Sequence, residues 1–167
     1  MSRPTIAYNS KYGSTRRYAL ALSERLGTPA VELSSFEAAS TADPLIVLAP
    51  IYATRIRGRK RLLRAIRSAP GRVALVVVGL SPADDPGRGT LAAKLAASSG
   101  RAVTTFDLRG DLDPARLSLK DRVIMAALRR ALRRTPDTSA AQLLLSNTRI
   151  EQVEVADLDP IVAWAAG

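Results

Sequence analysis

Six consecutive apolar residues, Val73 to Val78, constrain the fold of this chain more than any other stretch. A strand with one face in water alternates apolar and polar residues, whereas VALVVV is apolar on both sides and needs cover above and below. Elsewhere, short β-branched or apolar runs alternate with longer amphipathic ones, the pattern of a parallel sheet with helices on both faces. Strands are predicted at Thr5–Tyr8, Ala30–Leu33, Leu45–Ala49, Arg72–Val78 and Ala102–Leu108. Helices are predicted at Ser14–Leu26, Lys60–Ser68, Thr90–Ser98 and Leu119–Arg134, with a last one opening at Asp159-Pro160, an Asp cap followed by Pro in the first turn. Neither a repeat nor a long linker divides the chain, and its 47% hydrophobic residues are enough for one core, so residues 1–167 read as a single domain. The loosest loop is expected at Thr135–Ser139.

Cys and His are both absent, which removes disulfides, thiolate nucleophiles, ordinary zinc sites and every His-based triad or general base. Chemistry must come from carboxylates, hydroxyls, backbone or a borrowed cofactor. The sequence shows no apolar run near the ~18 to 20 residues of a spanning helix and no secretory leader, so the expected location is cytoplasmic. The net charge of +10 attracts phosphates and other polyanions. It is concentrated in Arg55, Arg57, Arg59, Lys60, Arg61, Arg64 and Arg67, and again in Lys120, Arg122, Arg129, Arg130, Arg133 and Arg134.

Loops at the carboxyl ends of parallel strands converge where ligands bind, and Ser10-Lys11-Tyr12-Gly13-Ser14-Thr15 is the first of them. It runs into a helix N-terminus, whose unpaired N–H groups and positive dipole end favour an anion. Ser10, Ser14 and Thr15 add hydroxyl donors, and Gly13 permits a close backbone approach or a positive φ. Two readings stand: a nest for a monophosphate, or a plain capped turn. Dinucleotide and triphosphate fingerprints are missing.

The Ser-x-x-Gly-x-Thr pattern at this position resembles the FMN phosphate loop of flavodoxins. Ala49-Pro50-Ile51-Tyr52-Ala53, after the third strand, is similar to their loop flanking the isoalloxazine ring. Phe106-Asp107-Leu108-Arg109-Gly110-Asp111-Leu112, then Leu117 and Asp121-Arg122-Val123-Ile124-Met125, resembles the region after the fifth strand of bacterial menaquinone-dependent protoporphyrinogen dehydrogenases. Those proteins are flavodoxin-like and carry an added basic helix there. The resemblance implies a three-layer, doubly wound, five-stranded parallel sheet of order 2-1-3-4-5, with that helix after strand five. It implies FMN held by Ser10, Lys11, Tyr12, Gly13, Ser14 and Thr15, by Pro50, Ile51, Tyr52, Ala53 and Thr54, and by Gly79, Leu80 and Ser81 of the loop reaching to Asp85. Tyr52 would stack on the flavin, or else pack against a neighbouring helix. The chain departs from the soluble carriers in being strongly basic with 4% aromatic residues, and in having Ala53 where relatives often have Gly.

On a helix, Leu119–Arg134 sets Ile124, Met125, Leu128, Ala131 and Leu132 on one face and Arg122, Arg129, Arg130, Arg133 and Arg134 on the other. The basic face is either solvated or, with Leu119 and Val123 among the cations, peripheral at the inner face of an anionic membrane. No nucleic-acid partner is expected, since aromatic interleaving and recognition motifs are missing. Asp84-Asp85 and Asp111 with Asp113 read as caps and turns rather than metal ligands. The leading expectation is an FMN-dependent oxidoreductase with no catalytic side chain, a dehydrogenase of protoporphyrinogen or a similar reduced small molecule with a quinone as acceptor. The alternatives are a soluble electron carrier and a flavodoxin-fold binding module with weak or no flavin.

Overall fold

The computed structural model describes residues 3–37, 42–52, 55–81, 85–134, 139–146 and 149–167. Five parallel strands form the sheet: β1 (Thr5–Tyr8), β2 (Ala30–Glu32), β3 (Leu45–Tyr52), β5 (Val73–Gly79) and β6 (Thr104–Arg109). Their order is β2-β1-β3-β5-β6, which is the expected doubly wound 2-1-3-4-5 once the short β4 (Arg55–Ile56) is set aside. β4 folds back antiparallel on the end of β3, pairing Ile51 with Ile56 and Tyr52 with Arg55.

Strand alternation divides the core in two. Ala7, Leu45, Val47, Ala49, Val73, Leu75 and Val77 face α2 (Arg59–Ser68) and α3 (Pro86–Ser99), and meet Leu62, Ile66, Ala92 and Leu95. Ile6, Ile46, Leu48, Ala74, Val76, Val78 and Leu108 face α1 (Ser14–Leu26) and α6 (Asp159–Ala166), and meet Tyr18, Leu22, Leu158 and Ile161. All seven residues of β5 are buried, as its unbroken apolar sequence requires. Each such Val, Leu or Ile contributes about 1.5–3 kcal/mol on burial.

α1 begins and ends at the predicted residues, closed by Gly27 at its C-terminus. α2 carries its apolar residues at 62, 63, 65 and 66 and its cations outward. Several boundaries differ from the sequence reading. β3 runs on through Pro50, Ile51 and Tyr52, because Pro50 keeps extended geometry and its carbonyl accepts from Arg57 N–H (3.0 Å). α3 starts at Pro86 rather than Thr90, since Asp85 caps it by accepting from Gly87 N–H (2.8 Å) and Pro86 occupies the first turn. The last strand is shifted to Thr104–Arg109.

After β6 the chain makes an insert of α4 (Leu119–Leu132) and α5 (Ser139–Leu145), closed by mutual backbone bonds between Leu112 and Ile150 (2.9 and 2.8 Å). Its core of Leu112, Leu117, Met125 and Ile150 also takes in Tyr12, Leu80, Leu128 and Leu144. The residues 135–138 of the expected loose loop lie outside the described residues, and Ser139 already belongs to α5.

Tyr18 ties these parts together. Its hydroxyl donates to Arg109 O (2.8 Å) at the end of β6 and accepts from Glu154 N–H (3.0 Å) ahead of α6. Burial pushes its pKa above 10.0, with the Glu154 N–H pulling the other way. Tyr18→Phe keeps the ring and strands both backbone groups, so it should lower stability by about 1–3 kcal/mol in urea unfolding. A neutral substitution would show that water replaces the hydroxyl.

Candidate functional site

The first loop, the end of β3 and the residues just after β5 meet at the carboxyl edge of the sheet, where open α/β folds bind ligands: Tyr12 packs with Leu80, and Tyr12 and Tyr52 share Asp121. In the first loop, Gly13 has φ +105°, a region where an L side chain is strained. There its N–H donates to Ser10 Oγ (3.2 Å) and its carbonyl accepts from Arg17 N–H (2.9 Å). α1 then starts at Ser14 with no side-chain cap and no acidic residue in its first turn. First-turn N–H groups have no intrahelical acceptor, so they and the dipole present positive charge to the loop. Ser10 and Ser14 each accept a backbone N–H, the latter from Asp111 (2.9 Å), which leaves their hydroxyl protons free to donate. Thr15 is buried in the first helical turn.

A crevice of about 90 Å³ opens at this helix end, beside Tyr12, Gly13, Ser14, Arg17, Arg116 and Arg149, with the carboxylates of Asp111 and Asp113 also on its wall. That is room for about three water molecules, the scale of one oxyanion. Backbone donors, hydroxyls and guanidinium groups around such a volume suit the phosphate end of a mononucleotide, provided that Asp111 and Asp113 stay engaged by Arg17 and by backbone N–H groups. Arg17 is held here by Asp111 (2.5 Å) and Arg149 by Glu151 (2.7 Å). Asp111 also accepts from Gln152 N–H (2.7 Å) and Val153 N–H (3.0 Å), and Asp113 caps the turn at Ala115 (2.9 Å), so both act as structural acceptors.

Of the second group, Pro50, Ile51 and Tyr52 are the last residues of β3, while Ala53 and Thr54 lie outside the described residues. Asn9 braces the turn that follows, donating to Arg57 O (3.1 Å), and its amide leaves no room for a Cβ on Gly58, which has φ +81°. Of the third group, Gly79 ends β5 and its carbonyl accepts from Gly110 N–H (2.9 Å). Leu80 packs with Tyr12 in the insert core, and the Ser81 carbonyl accepts from Arg88 (2.5 Å). Residues 82–84, Asp84 among them, lie outside the described residues.

Two groups missed in the sequence hold these loops. Arg88, only 2% exposed, also donates to Val77 O (3.2 Å) and Leu108 O (2.5 Å), joining β5, β6 and the third loop. Asp121 lies in the first turn of α4 at 1% exposure and accepts from the hydroxyls of Tyr12 and Tyr52, with Lys11 Nζ 2.5 Å away. Tyr52 therefore points its hydroxyl at α4, and Lys11 Nζ sits 4.0 Å from its ring centroid. The signal for Asp121 was its place in the apolar row Asp121, Met125, Leu128 and Leu132, where a carboxylate needs partners. Two expected faces of α4 also change: Ala131 is exposed, and Arg129 turns inward to donate to Leu144 O (2.8 Å).

A larger open groove of about 560 Å³ lies at the opposite, amino edge of β5 and β6. Its cations are already engaged: Arg101 donates to Ala69 O and Gly71 O, and Arg72 donates to Trp164 O (3.0 Å) with its guanidinium 5.2 Å from the Trp164 ring. At the carboxyl edge Arg17 and Arg149 are engaged as well, but the first turn of α1 has no side-chain cap, so its N–H groups remain as donors.

Residues 5–139 match the model of a protein family described as Flavodoxin domain. Among curated proteins, nothing matches the chain.

Asp107 lies 3.3 Å from Arg88 Nε, but the two atoms are not aligned as a hydrogen bond. Burial pushes the Asp107 carboxyl above its ordinary value of 3.8, against the opposing charge of Arg88. The folded protein thus holds this proton more tightly than the unfolded chain. Its contribution to stability is full below the ordinary value and is lost as pH rises through the folded one. Asp107→Asn should flatten that part of a plot of urea midpoint against pH, just above the ordinary carboxylate range. An unchanged slope would assign the proton to another group.

Proposed function

The chain belongs to the Flavodoxin domain family, and on that premise we propose that it is an FMN-binding oxidoreductase with the cofactor along the carboxyl edge of its sheet. The observation that carries this reading is the uncapped N-terminus of α1, with no acidic residue in its first turn, which opens on a small crevice behind Gly13 whose two carboxylates, Asp111 and Asp113, are taken up by Arg17 and by backbone N–H groups. Ser10, Ser14 and Thr15 with the first-turn N–H groups would hold the phosphate. Tyr52 and the loops at Ala53–Thr54 and Gly79–Ser81 would border the ring. Bound FMN supplies the electron-transfer chemistry, while the chain binds, orients and shields it. The finer reading is a quinone-linked dehydrogenase of protoporphyrinogen or a similar reduced molecule, supported by the resemblance of residues 106–125. A membrane-facing surface on α4 is consistent with a lipid-soluble acceptor. Leu119 and Val123 are 79% and 70% exposed there, next to Lys120 and Arg122. Among the described residues no helix is long and apolar enough to cross a membrane, so contact would be peripheral.

FMN should bind at micromolar concentration, seen as quenching of its fluorescence. Ser10→Ala or Thr15→Ala should weaken FMN by about 1.5–3 kcal/mol, the worth of a hydrogen bond to a charged group, and leave riboflavin nearly untouched. Equal losses for the two ligands would move the phosphate away from this loop, and no binding of either would favour the flavin-free module.

The membrane reading predicts cosedimentation with anionic but not neutral vesicles, reversed by high salt. Each cation near the surface contributes about 1 kcal/mol. Replacing Arg130, Arg133 and Arg134 with Gln should release the protein without changing FMN binding. Indifference to vesicle charge would leave these arginines as solvated surface.

A further inference from the structure

The insert is joined to the cofactor edge through one buried carboxylate. Asp121 Oδ2 takes Lys11 Nζ and the Tyr12 hydroxyl from the first loop, and Oδ1 takes the Tyr52 hydroxyl from the end of β3. Its own position is fixed from both sides: Ser118 Oγ caps α4 by accepting Asp121 N–H (3.2 Å), and Ser118 N–H donates to the Tyr12 hydroxyl (3.4 Å). Lys11, drawn to the carboxylate, lies across one face of the Tyr52 ring. Packing alone does not call for this residue, because an apolar side chain in the row of Met125 and Leu128 would avoid the desolvation of a buried charge. What a carboxylate adds is direction, since it fixes the rotamers of three side chains from two loops at once.

We infer that Asp121 is a positioning residue, the joint by which α4 sets Lys11 and Tyr52 at the cofactor edge and makes the insert and the first loop open and close as one unit. The inference rests on the FMN reading for its consequence, and on the geometry above for the joint itself. Because the joint holds Tyr52 and, through Lys11 and Tyr12, the phosphate loop as well, its loss should weaken both ring binding and phosphate recognition.

Asp121→Asn keeps the size of the side chain and removes the charge that holds Lys11. Tyr12→Phe keeps the ring and removes one of the two first-loop contacts with Asp121, and it serves where Asp121→Asn does not fold. In the ligand-free protein, amide hydrogen exchange should quicken in residues 10–15 and in the first turns of α4 together, in either variant. In Asp121→Asn, riboflavin should then lose affinity about tenfold and FMN by a larger factor, in contrast to Ser10→Ala, which leaves riboflavin nearly untouched. Faster exchange confined to α4 would overturn the joint. Tighter FMN with unchanged riboflavin would overturn it too, by making Asp121 a rival of the phosphate. A wild-type protein that binds neither flavin would remove the FMN reading, and the exchange measurement would still decide whether Asp121 couples the two segments.

Discussion

Burial of the sheet on both faces governs the rest of the molecule. β3 and β5 are apolar on both sides along most of their length, and helices cover both surfaces: α1 joins β1 to β2, α2 lies between β3 and β5, and α3 joins β5 to β6. With the faces closed, polar groups can gather only at the strand ends. At the amino edge they are consumed by the chain's own carbonyls, as with Arg101 and Arg72. At the carboxyl edge the first loop instead leaves the α1 terminus uncapped, after a turn at Gly13 whose positive φ a glycine adopts without strain.

The arrangement of charge follows from where the acids are spent. Asp85 and Asp113 cap helical turns, Asp43 accepts from Arg72 N–H (2.8 Å), Asp111 gathers Arg17 and two backbone donors, and Asp121 takes Lys11. Residues 55–101 hold eleven Lys and Arg against two Asp, so nearly all of the excess of +10 comes from that segment. On α2 and its approach, Arg55, Arg57, Arg59, Lys60, Arg61, Arg64 and Arg67 are all exposed. Arg59 and Arg67 still bond the last residues of α3, Ser98 and Ser99. The basic residues thus gather in two places, the exposed side of α2 and its approach, next to the end of β3, and Lys120, Arg122, Arg130, Arg133 and Arg134 on and just after α4.

Much of the fold was legible because it depends on periodicity. Val73–Val78 required two-sided cover, and the helical spacing of Ser14–Leu26 fixed α1 to the residue. What escaped was set by contacts distant in sequence. β4 is two residues inside a basic run and exists only because Ile51 and Tyr52 offer it a partner. Pro50 signalled a loop, yet a Pro at the end of a strand keeps extended geometry and accepts through its carbonyl. Gly87 and Gly89 hid the first turns of α3, although Asp85-Pro86 marked its start. The site was legible in the same proportion: the first loop could be located by its residues and its position after β1, whereas Arg88 and Asp121 draw their roles from groups 7 to 109 positions away.

The insert shows why such groups carry site geometry. Its small apolar core reaches Tyr12 and Leu80, members of two site loops, but apolar contacts are non-directional and tolerate sliding. A helix resting on them alone could shift along its axis with little change in buried area. The Asp121 carboxylate cannot shift in that way, because moving it breaks its contacts with Lys11, Tyr12 and Tyr52 at once and leaves a buried charge unpaired. Position along the helix is therefore set by the polar joint and affinity for the edge by the apolar contacts. The same division appears at Arg88, where three carbonyl contacts fix the third loop over a core that Val77 and Leu108 already fill.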